Sequence, residues 1–192
     1  MNHAMRPEPR SPGPDVLSEL PGELMMWVLI ASEILVFGAA LMAFLAVRAT
    51  DPAGFAANQA LLDQTAAAVN TIVLVTSGLC AAAAVRAREA GARDVARRWL
   101  FVAGGLGIVF LVIKGFEYAS KASLGIGTDT SPFFMFYFLV TGFHALHVVA
   151  GVVLLAIVAW ADSVRNMEAA VAFWHLVDLI WVLLFPIIYV LR

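Results

Sequence analysis

The chain has 192 residues, of which 62% are hydrophobic and 14% are charged, and its formal net charge at pH 7 is −2. A soluble domain is about half apolar and about a quarter charged, so this composition excludes a soluble globular protein and indicates a membrane protein with several spans. The small negative charge argues against nucleic-acid binding. The single cysteine, Cys80, excludes an intrachain disulfide framework.

Five long apolar runs follow a polar N-terminal tail. Crossing about 30 Å of hydrocarbon takes roughly 20 helical residues, so each run is predicted to form one transmembrane helix. The predicted helices cover residues 24–47, 66–85, 98–120, 132–161 and 171–191. Because the runs do not alternate apolar and polar residues as membrane strands do, residues 23–192 are predicted to form an all-α, five-helix transmembrane bundle. Pro186 predicts a kink or local unwinding near the end of the fifth helix.

Charged and aromatic residues between the runs indicate how the bundle sits in the membrane. The predicted linker at residues 86–98 is rich in arginine, as is the tail, whereas the first and third connections offer only Arg48 and Lys121. The positive-inside rule therefore places the linker and tail in the cytoplasm. Residues 1–22 are predicted to be a disordered cytoplasmic arm, and five spans put Arg192 on the opposite side. Four tryptophans are predicted at the membrane surfaces: Trp27, Trp99, Trp160 and Trp174.

Ionisable side chains within the predicted spans are the candidate functional residues. An unpaired charge in hydrocarbon costs at least a few kcal/mol, so such residues usually have a function. Glu33 lies about ten residues, or roughly 15 Å, into the first span and has no basic residue near it in sequence. An isolated carboxylic acid at this depth is expected to be neutral, because desolvation disfavours the charged form. Such a group suits proton buffering, a lipid contact or a hydrogen bond between helices.

Three further pairs of ionisable residues have their members three positions apart, on one face of a helix. The pairs are Lys114 with Glu117, His144 with His147, and His175 with Asp178. The first pair can form a salt bridge, and in the third the imidazole can donate to the carboxylate. The second span adds small polar side chains that suit hydrogen bonds between helices. They include Asn70, Thr71 and Ser77.

Three interpretations of these residues remain open. They can be structural groups that fix helix packing or a subunit interface. They can ligate a metal, as in a five-helix metalloenzyme, although the Glu-x-x-His motif of di-iron bundles does not occur at these positions. They can also form the proton or ion relay of a small carrier or channel, which requires convergence on one wet cavity. The relay would comprise Glu33, His144, His147, His175 and Asp178.

Five motifs in order resemble subunit III of the haem–copper cytochrome oxidases. Residues 141–151 are similar to the Thr-Gly-Phe-His-Gly-Leu-His-Val stretch of that family. Four more matches follow the family's order, and together they cover about residues 22 to 192. They are Ser32-Glu33 with Phe37, Asn70-Thr71 with Thr76-Ser77, Glu117-Tyr118, and the segment from Trp174 to Trp181.

The resemblance implies a non-catalytic accessory subunit in a bacterial inner membrane, with its N-terminus cytoplasmic and its C-terminus periplasmic. It implies no metal in this chain, with haem and copper or non-haem iron in partner subunits. The implied partners are catalytic subunit I and phospholipids, and the implied role is to stabilise that subunit and sustain proton uptake. Glu33 takes the position of the family's carbodiimide-reactive buried carboxylate. The full-size subunit has seven spans, so this five-span chain lacks two helices that form one wall of a lipid cleft.

Two segments favour one branch of this family. Residues 133–138 and 184–189 most resemble the subunit-III-like proteins found with nitric oxide reductase in denitrifying bacteria. The resemblance therefore predicts an accessory subunit of either a haem–copper oxidase or a nitric oxide reductase complex, with no catalysis by this chain alone.

Overall fold

A computed structural model describes residues 24–161 and 164–191, so the predicted disordered arm at residues 1–22 lies outside the described residues. The helices are α1 (Leu24–Thr50), α2 (Pro52–Gln59), α3 (Gln64–Glu89), α4 (Arg93–Ser123), α5 (Pro132–Ala161) and α6 (Val164–Phe185), followed by a π-helical turn (Pro186–Val190). In these ranges five helices are long and apolar enough to cross a membrane, namely α1, α3, α4, α5, and α6 with its turn. The predicted all-α, five-span bundle is confirmed.

The helices extend beyond the apolar runs, and the structure corrects three predicted boundaries. The stretch 86–98, predicted as a linker, is helical except for residues 90–92. Arginine is a good helix former, so α3 and α4 continue past the hydrocarbon. Gly91, with φ of 78°, supplies the left-handed turn between them. Similarly, α6 begins at Val164 rather than near residue 171.

The short helix α2 was not predicted from the apolar pattern. Its start has two local signals, since Pro52 occupies the first turn and the Asp51 side chain accepts a hydrogen bond from the Gly54 N–H at 2.9 Å. The helix lies between the first two spans and buries Phe55. It covers the end of the bundle opposite the arginines.

The last transmembrane helix, α6, is the central element of the bundle. It packs against α3, α5 and α1, and 56% of its transmembrane window is buried, the highest share of the five. Trp174 is fully buried in α6, so its predicted place at a membrane surface is wrong. Its ring fits because Gly107 of α4 and Gly151 of α5 leave room where a side chain would overlap it. The other three tryptophans of the predicted belts are exposed.

The end of α6 is anchored by polar side chains from other helices. Pro186 cannot continue a regular α-helix, and the predicted unwinding there is confirmed as a π-helical turn. Side chains of other helices bind the carbonyls near this turn: Gln59 donates to Ile188 (2.9 Å), Gln64 to Tyr189 (2.7 Å) and Arg48 to Leu191 (2.6 Å). These bonds give hydrogen-bond partners to carbonyls at the end of the helix, which have no partner in the next turn.

Candidate functional site

Glu33 is paired with a histidine of another helix. Its Oε2 lies 3.1 Å from Nε2 of His147 on α5, and the two side chains are only 14% and 16% exposed. Nδ1 of His147 lies 2.9 Å from the Phe143 carbonyl and donates its proton there. The orientation at Glu33 Oε2 is not that of a regular hydrogen bond, so this is a close polar contact. The isolation of Glu33 expected from the sequence is therefore wrong, because α5 supplies a basic partner.

The pairing lets the two side chains hold one proton between them. Nδ1 of His147 donates to the Phe143 carbonyl, so Nε2 is the nitrogen that faces Glu33. Two arrangements are then possible, a neutral carboxylic acid beside a neutral imidazole or a carboxylate beside an imidazolium. Either arrangement has no net charge, which lowers the cost of burial in hydrocarbon. Phe37 and Phe143 cover the imidazole, with ring centroids 5.6 and 4.6 Å from it. The pair can therefore hold a proton in an apolar setting.

His144 has a different environment from His147, although both lie on α5. It is fully buried, and neither ring nitrogen has a hydrogen-bond partner among the described residues. The ring stacks on Trp181 at 5.1 Å between centroids and meets the edge of Phe110 at 5.6 Å. His144 is thus packed as an aromatic residue in the centre of the bundle.

A buried network surrounds Lys114 near the end of the bundle that carries α2. Its Nζ lies 3.0 Å from Glu117 Oε2, as the spacing of the two residues predicts. The ammonium also donates to the hydroxyls of Tyr137, at 3.2 Å, and Tyr189. Tyr189 donates in turn to Glu117 Oε1 at 2.9 Å. All four side chains are buried, and the ion pair on α4 is satisfied by hydroxyl groups from two other elements, α5 and the π-helical turn.

The polar residues of α3 bind two neighbouring helices. Towards α4, Asn70 donates to the Phe110 carbonyl at 3.2 Å and Ser77 donates to the Ala103 carbonyl at 2.7 Å. Towards α6, Ser77 accepts from the indole of Trp174 at 3.1 Å, and Thr71 accepts from that of Trp181 at 2.9 Å. All these contacts position helices, and they bring α3 and α6 close together.

His175 and Asp178 do not form the predicted buried polar pair. His175 is exposed, and its Nδ1 lies 2.9 Å from the Val171 carbonyl of its own helix. Asp178 is only 8% exposed, and its Oδ1 has no hydrogen-bond partner among the described residues. Because Nδ1 of His175 bonds to the carbonyl four residues earlier, it does not donate to the carboxylate of Asp178. Both side chains lie over Gly78, where a methyl group would overlap Asp178 Oδ2.

These two residues mark a polar area on a membrane-facing surface. This area lies beside α3, because both side chains approach Gly78 of that helix. Leu179, Val182 and Leu183 of α6 are exposed apolar residues, as lipid contact requires. An exposed imidazole and an unsatisfied carboxylate do not suit hydrocarbon, so this area fits contact with another protein. We call His175, Asp178 and Leu179 the α6 face.

The structure does not support a metal centre or a continuous relay. Among residues 24–161 and 164–191, no group of three His, Cys, Asp or Glu side chains is placed to hold a metal ion. A cavity of about 180 Å³ lies at the arginine-rich end, and none of the five proposed relay residues lines it. The Glu33–His147 contact is between α1 and α5, whereas His175 is exposed on α6. The five residues of the carrier hypothesis therefore do not line this cavity, and His175 takes no part in the Glu33–His147 contact.

Sequence reasoning missed Tyr137 and Tyr189 as partners of Lys114. Each lies in an aromatic, apolar segment that fits lipid contact or packing. The available signal was chemical, because Tyr137 is the one hydroxyl-bearing residue in the phenylalanine-rich segment 133–138. Buried tyrosine hydroxyls usually have a hydrogen-bond partner, and a buried lysine needs several.

Comparison with known proteins gives consistent matches along the chain. A family profile described as cytochrome c oxidase subunit III matches residues 20–192. The chain is similar to a cytochrome c oxidase subunit 3 from Thermostichus vulcanus, with 30% identity over 182 residues, which cover 88% of this chain and 86% of that protein. A cytochrome c oxidase subunit 3 from Synechocystis sp. is 29% identical over 171 residues, covering 84% and 72% of the two chains.

A longer protein from Aeropyrum pernix also matches. It is named heme-copper oxidase subunit I+III and is 31% identical over 185 residues, which cover 85% of this chain and 22% of that protein. Its name describes subunits I and III in one polypeptide. The similar region therefore lies within a chain that also carries a subunit I.

Proposed function

The chain belongs to the cytochrome c oxidase subunit III family, and we propose that it is the accessory subunit of a bacterial respiratory haem–copper oxidase, bound to catalytic subunit I. The redox centres belong to the partner subunits. This chain contributes structure, through a bundle whose buried polar groups mostly bind each other. The joined subunits I and III of the Aeropyrum pernix protein support an association between the two.

The α6 face is the observation that carries the proposed contact. Asp178 Oδ1 lacks a donor within the described residues, and His175 is exposed at the same level of the helix. A transmembrane helix with a polar side chain can bind the exposed imidazole of His175, whereas lipid tails cannot. The apolar residues around these two side chains allow such a helix to pack closely. We therefore assign the α6 face to a transmembrane helix of the catalytic subunit.

The Glu33–His147 contact supports a role in proton handling. A proton can move between Oε2 of Glu33 and Nε2 of His147 without changing the net charge of the pair. In the proposed complex this pair buffers protons beside the catalytic subunit and sustains its proton uptake. Phospholipids bind beside this pair, because α1 exposes a largely apolar side around Glu33.

The proposed location is the bacterial inner membrane, with the N-terminus cytoplasmic and the C-terminus periplasmic. The arginines at the ends of α3 and α4 lie on one side of the bundle, and Gln59, Gln64 and the end of α6 lie on the other. The positive-inside rule supports this orientation.

We propose oxygen as the acceptor that the complex reduces, with a nitric oxide reductase as the alternative partner. Segments 133–138 and 184–189 favour the alternative by resemblance. However, Tyr137 and Tyr189 in those segments bind Lys114, so internal packing also explains them. The relatives described above are named as oxidase subunits.

Site-specific photocrosslinking in native membranes tests the proposed contact. A photoreactive amino acid replaces Leu179 on the α6 face, and the control replaces Phe116, which is 73% exposed on α4. We expect position 179 to capture a haem-bearing catalytic subunit and position 116 to capture much less of it. Capture of that subunit from position 116 alone would contradict the assignment of the face.

A liposome assay separates this proposal from the carrier hypothesis. The purified chain alone, reconstituted in liposomes, is expected to give no proton or ion flux above that of empty vesicles. Flux that is lost in Glu33→Gln would instead establish a carrier.

A further inference from the structure

The arginine-rich end of the bundle contains a cavity of about 180 Å³. Three arginines line it, namely Arg88 at the end of α3 and Arg93 and Arg97 at the start of α4. Trp160 of α5 and Met167 of α6 complete the wall. Arginines on a simply solvated helix surface would not enclose a cavity with residues of two further helices. The presence of three arginines around one cavity therefore needs an explanation other than solvation.

Arg97 is held in place by aromatic rings. Its guanidinium carbon lies 4.2 Å from the ring centroid of Trp160 and 5.7 Å from that of Phe101. Trp160 is 69% exposed and lies in a predicted aromatic belt. The charge of Arg97 is therefore fixed near the membrane surface, at the depth of lipid headgroups.

The charges around the cavity favour an anion. Among the described residues of the lining, three are arginines and one, Asp94, carries a carboxylate. The lining also includes the first turn of α4, a helix of 31 residues whose N-cap residue, Ala92, makes no side-chain cap bond. A helix start carries roughly half a positive charge and free N–H donors. Arg88 and Arg93 make further interactions within the chain, so the argument depends on the convergence of the three groups and the cavity between them.

The size of the cavity limits what can enter it. At about 30 Å³ for each water, 180 Å³ holds roughly six water molecules, which is enough for one phosphate group and a few waters. A whole lipid does not fit, but a headgroup phosphate can enter while the acyl chains lie along the apolar helices outside. Arginine forks bind phosphate oxygens through paired hydrogen bonds.

We propose that this cavity is a binding site for a phosphate-bearing anion, either the headgroup of an anionic phospholipid or a soluble phosphate. The site lies at the proposed cytoplasmic surface, where anionic headgroups meet basic pockets between helices. It is independent of the α6 face and of the identity of the partner subunit.

Native mass spectrometry of the full chain in detergent tests the site. The probes are phosphatidylglycerol, phosphatidylcholine and inorganic phosphate. The variants Arg93→Gln and Arg97→Gln each remove one lining charge, and Arg98→Gln is the matched control because Arg98 is exposed and does not line the cavity. We expect about fivefold weaker phosphatidylglycerol binding for each lining variant, the equivalent of about 1 kcal/mol per arginine, and no change for the control.

A fourth variant, Asp94→Asn, distinguishes loss of a lining charge from misfolding, because misfolding cannot strengthen binding. It removes the opposing carboxylate, so it is expected to strengthen binding of the anion. Preference for phosphatidylglycerol over phosphatidylcholine, unaffected by inorganic phosphate, identifies a lipid headgroup as the ligand. Competition by inorganic phosphate identifies a soluble phosphate. Equal binding of both lipids without competition, or equal losses in Arg97→Gln and Arg98→Gln, overturns the proposal.

Discussion

At the scale of single residues, the membrane determines which polar groups can persist. Glu33 and His147 lie against each other, so neither ionisable group is isolated in the membrane. Lys114 and Glu117 avoid it differently, because two tyrosine hydroxyls complete the ion pair. Removing one member of either pair should therefore have different consequences for the two sites.

Lys114→Met should strongly destabilise the isolated chain. It leaves Glu117 buried without its cation, which typically lowers the free energy of unfolding by about 3–5 kcal/mol. Denaturant unfolding in mixed micelles measures this change. The double variant Lys114→Met/Glu117→Gln should recover part of the loss, since the orphaned charge is gone. Arg86→Gln, which removes an exposed cation, serves as the control and should stay within about 0.5 kcal/mol of the parent. Strict additivity in the double variant would contradict the network.

Glu33→Gln should leave folding and assembly intact but shorten the working life of the complex. Glutamine keeps the shape and can still donate to His147, but it cannot exchange a proton. The measurement combines the yield of the haem-containing complex with the decay of its activity during turnover. Glu168→Gln, at an exposed carboxylate of α6, should match the parent in both respects. Failure of Glu33→Gln to assemble would instead make Glu33 a structural residue.

At the scale of helices, small residues set how closely α6 approaches its neighbours. Gly107 and Gly151 face the ring of Trp174, and Gly78 faces the carboxylate of Asp178. Without side chains at these positions, α3, α4 and α5 can contact the large residues of α6. The bundle is therefore more sensitive to added volume at these glycines than to added volume elsewhere on the same helices.

Gly151→Ala should destabilise the bundle, because its methyl group would overlap Trp174. Overpacking of this kind typically lowers the free energy of unfolding by about 1–3 kcal/mol. The matched control is Gly105→Ala, where nothing lies within 4 Å of the added carbon. The control should be neutral or slightly stabilising, since alanine is the better helix former. Thermal unfolding in detergent compares the two variants, and equal melting temperatures would contradict the close packing of α5 on Trp174.

The sequence predicted helices well and contacts between helices only in part. Five spans follow from apolar length, and subunit III membership follows from five ordered motifs, which the family profile confirms. The Lys114–Glu117 pair was predictable because both residues lie on one helix. The Glu33–His147 contact was not, since the register of α1 against α5 depends on packing that neither apolar pattern specifies.

Spacing alone also misled at two places. His175 and Asp178 have the separation of a polar pair, but the imidazole bonds to the carbonyl four residues earlier. The position of Trp174 near the start of an apolar run suggested a membrane surface. The helix in fact begins earlier, at Val164, so the indole lies deeper and reaches the hydroxyl of Ser77.

At the scale of the whole molecule, many polar groups at membrane depth find partners inside the bundle, whereas His144 and Asp178 keep atoms without a hydrogen-bond partner among the described residues. Of these two, Asp178 lies beside the exposed His175 on the α6 face, which we assign to another subunit. This assignment predicts a separation between stability and assembly. Changes at the face should affect binding of the catalytic subunit far more than folding of this chain.

His175→Ala and Asp178→Asn should weaken assembly of the complex. His175→Ala removes a polar group from the proposed interface and Asp178→Asn replaces a carboxyl group with an amide, at a place where one residue can contribute about 2 kcal/mol or more to binding. His175 bonds only to the backbone of its own helix, so its loss should leave the melting temperature of the isolated chain unchanged. The yield of haem per tagged chain measures assembly. Phe116→Ala on α4 is the control, and normal yield in both face variants would remove the basis for the assignment.

The most direct test of the account is isolation of the tagged chain from its native membrane in mild detergent, with mass spectrometry of its companions and a haem absorption spectrum. The account predicts a haem-bearing catalytic subunit in fixed ratio to this chain, and its type distinguishes an oxidase from a nitric oxide reductase. A colourless preparation with no partner subunit would contradict the accessory role.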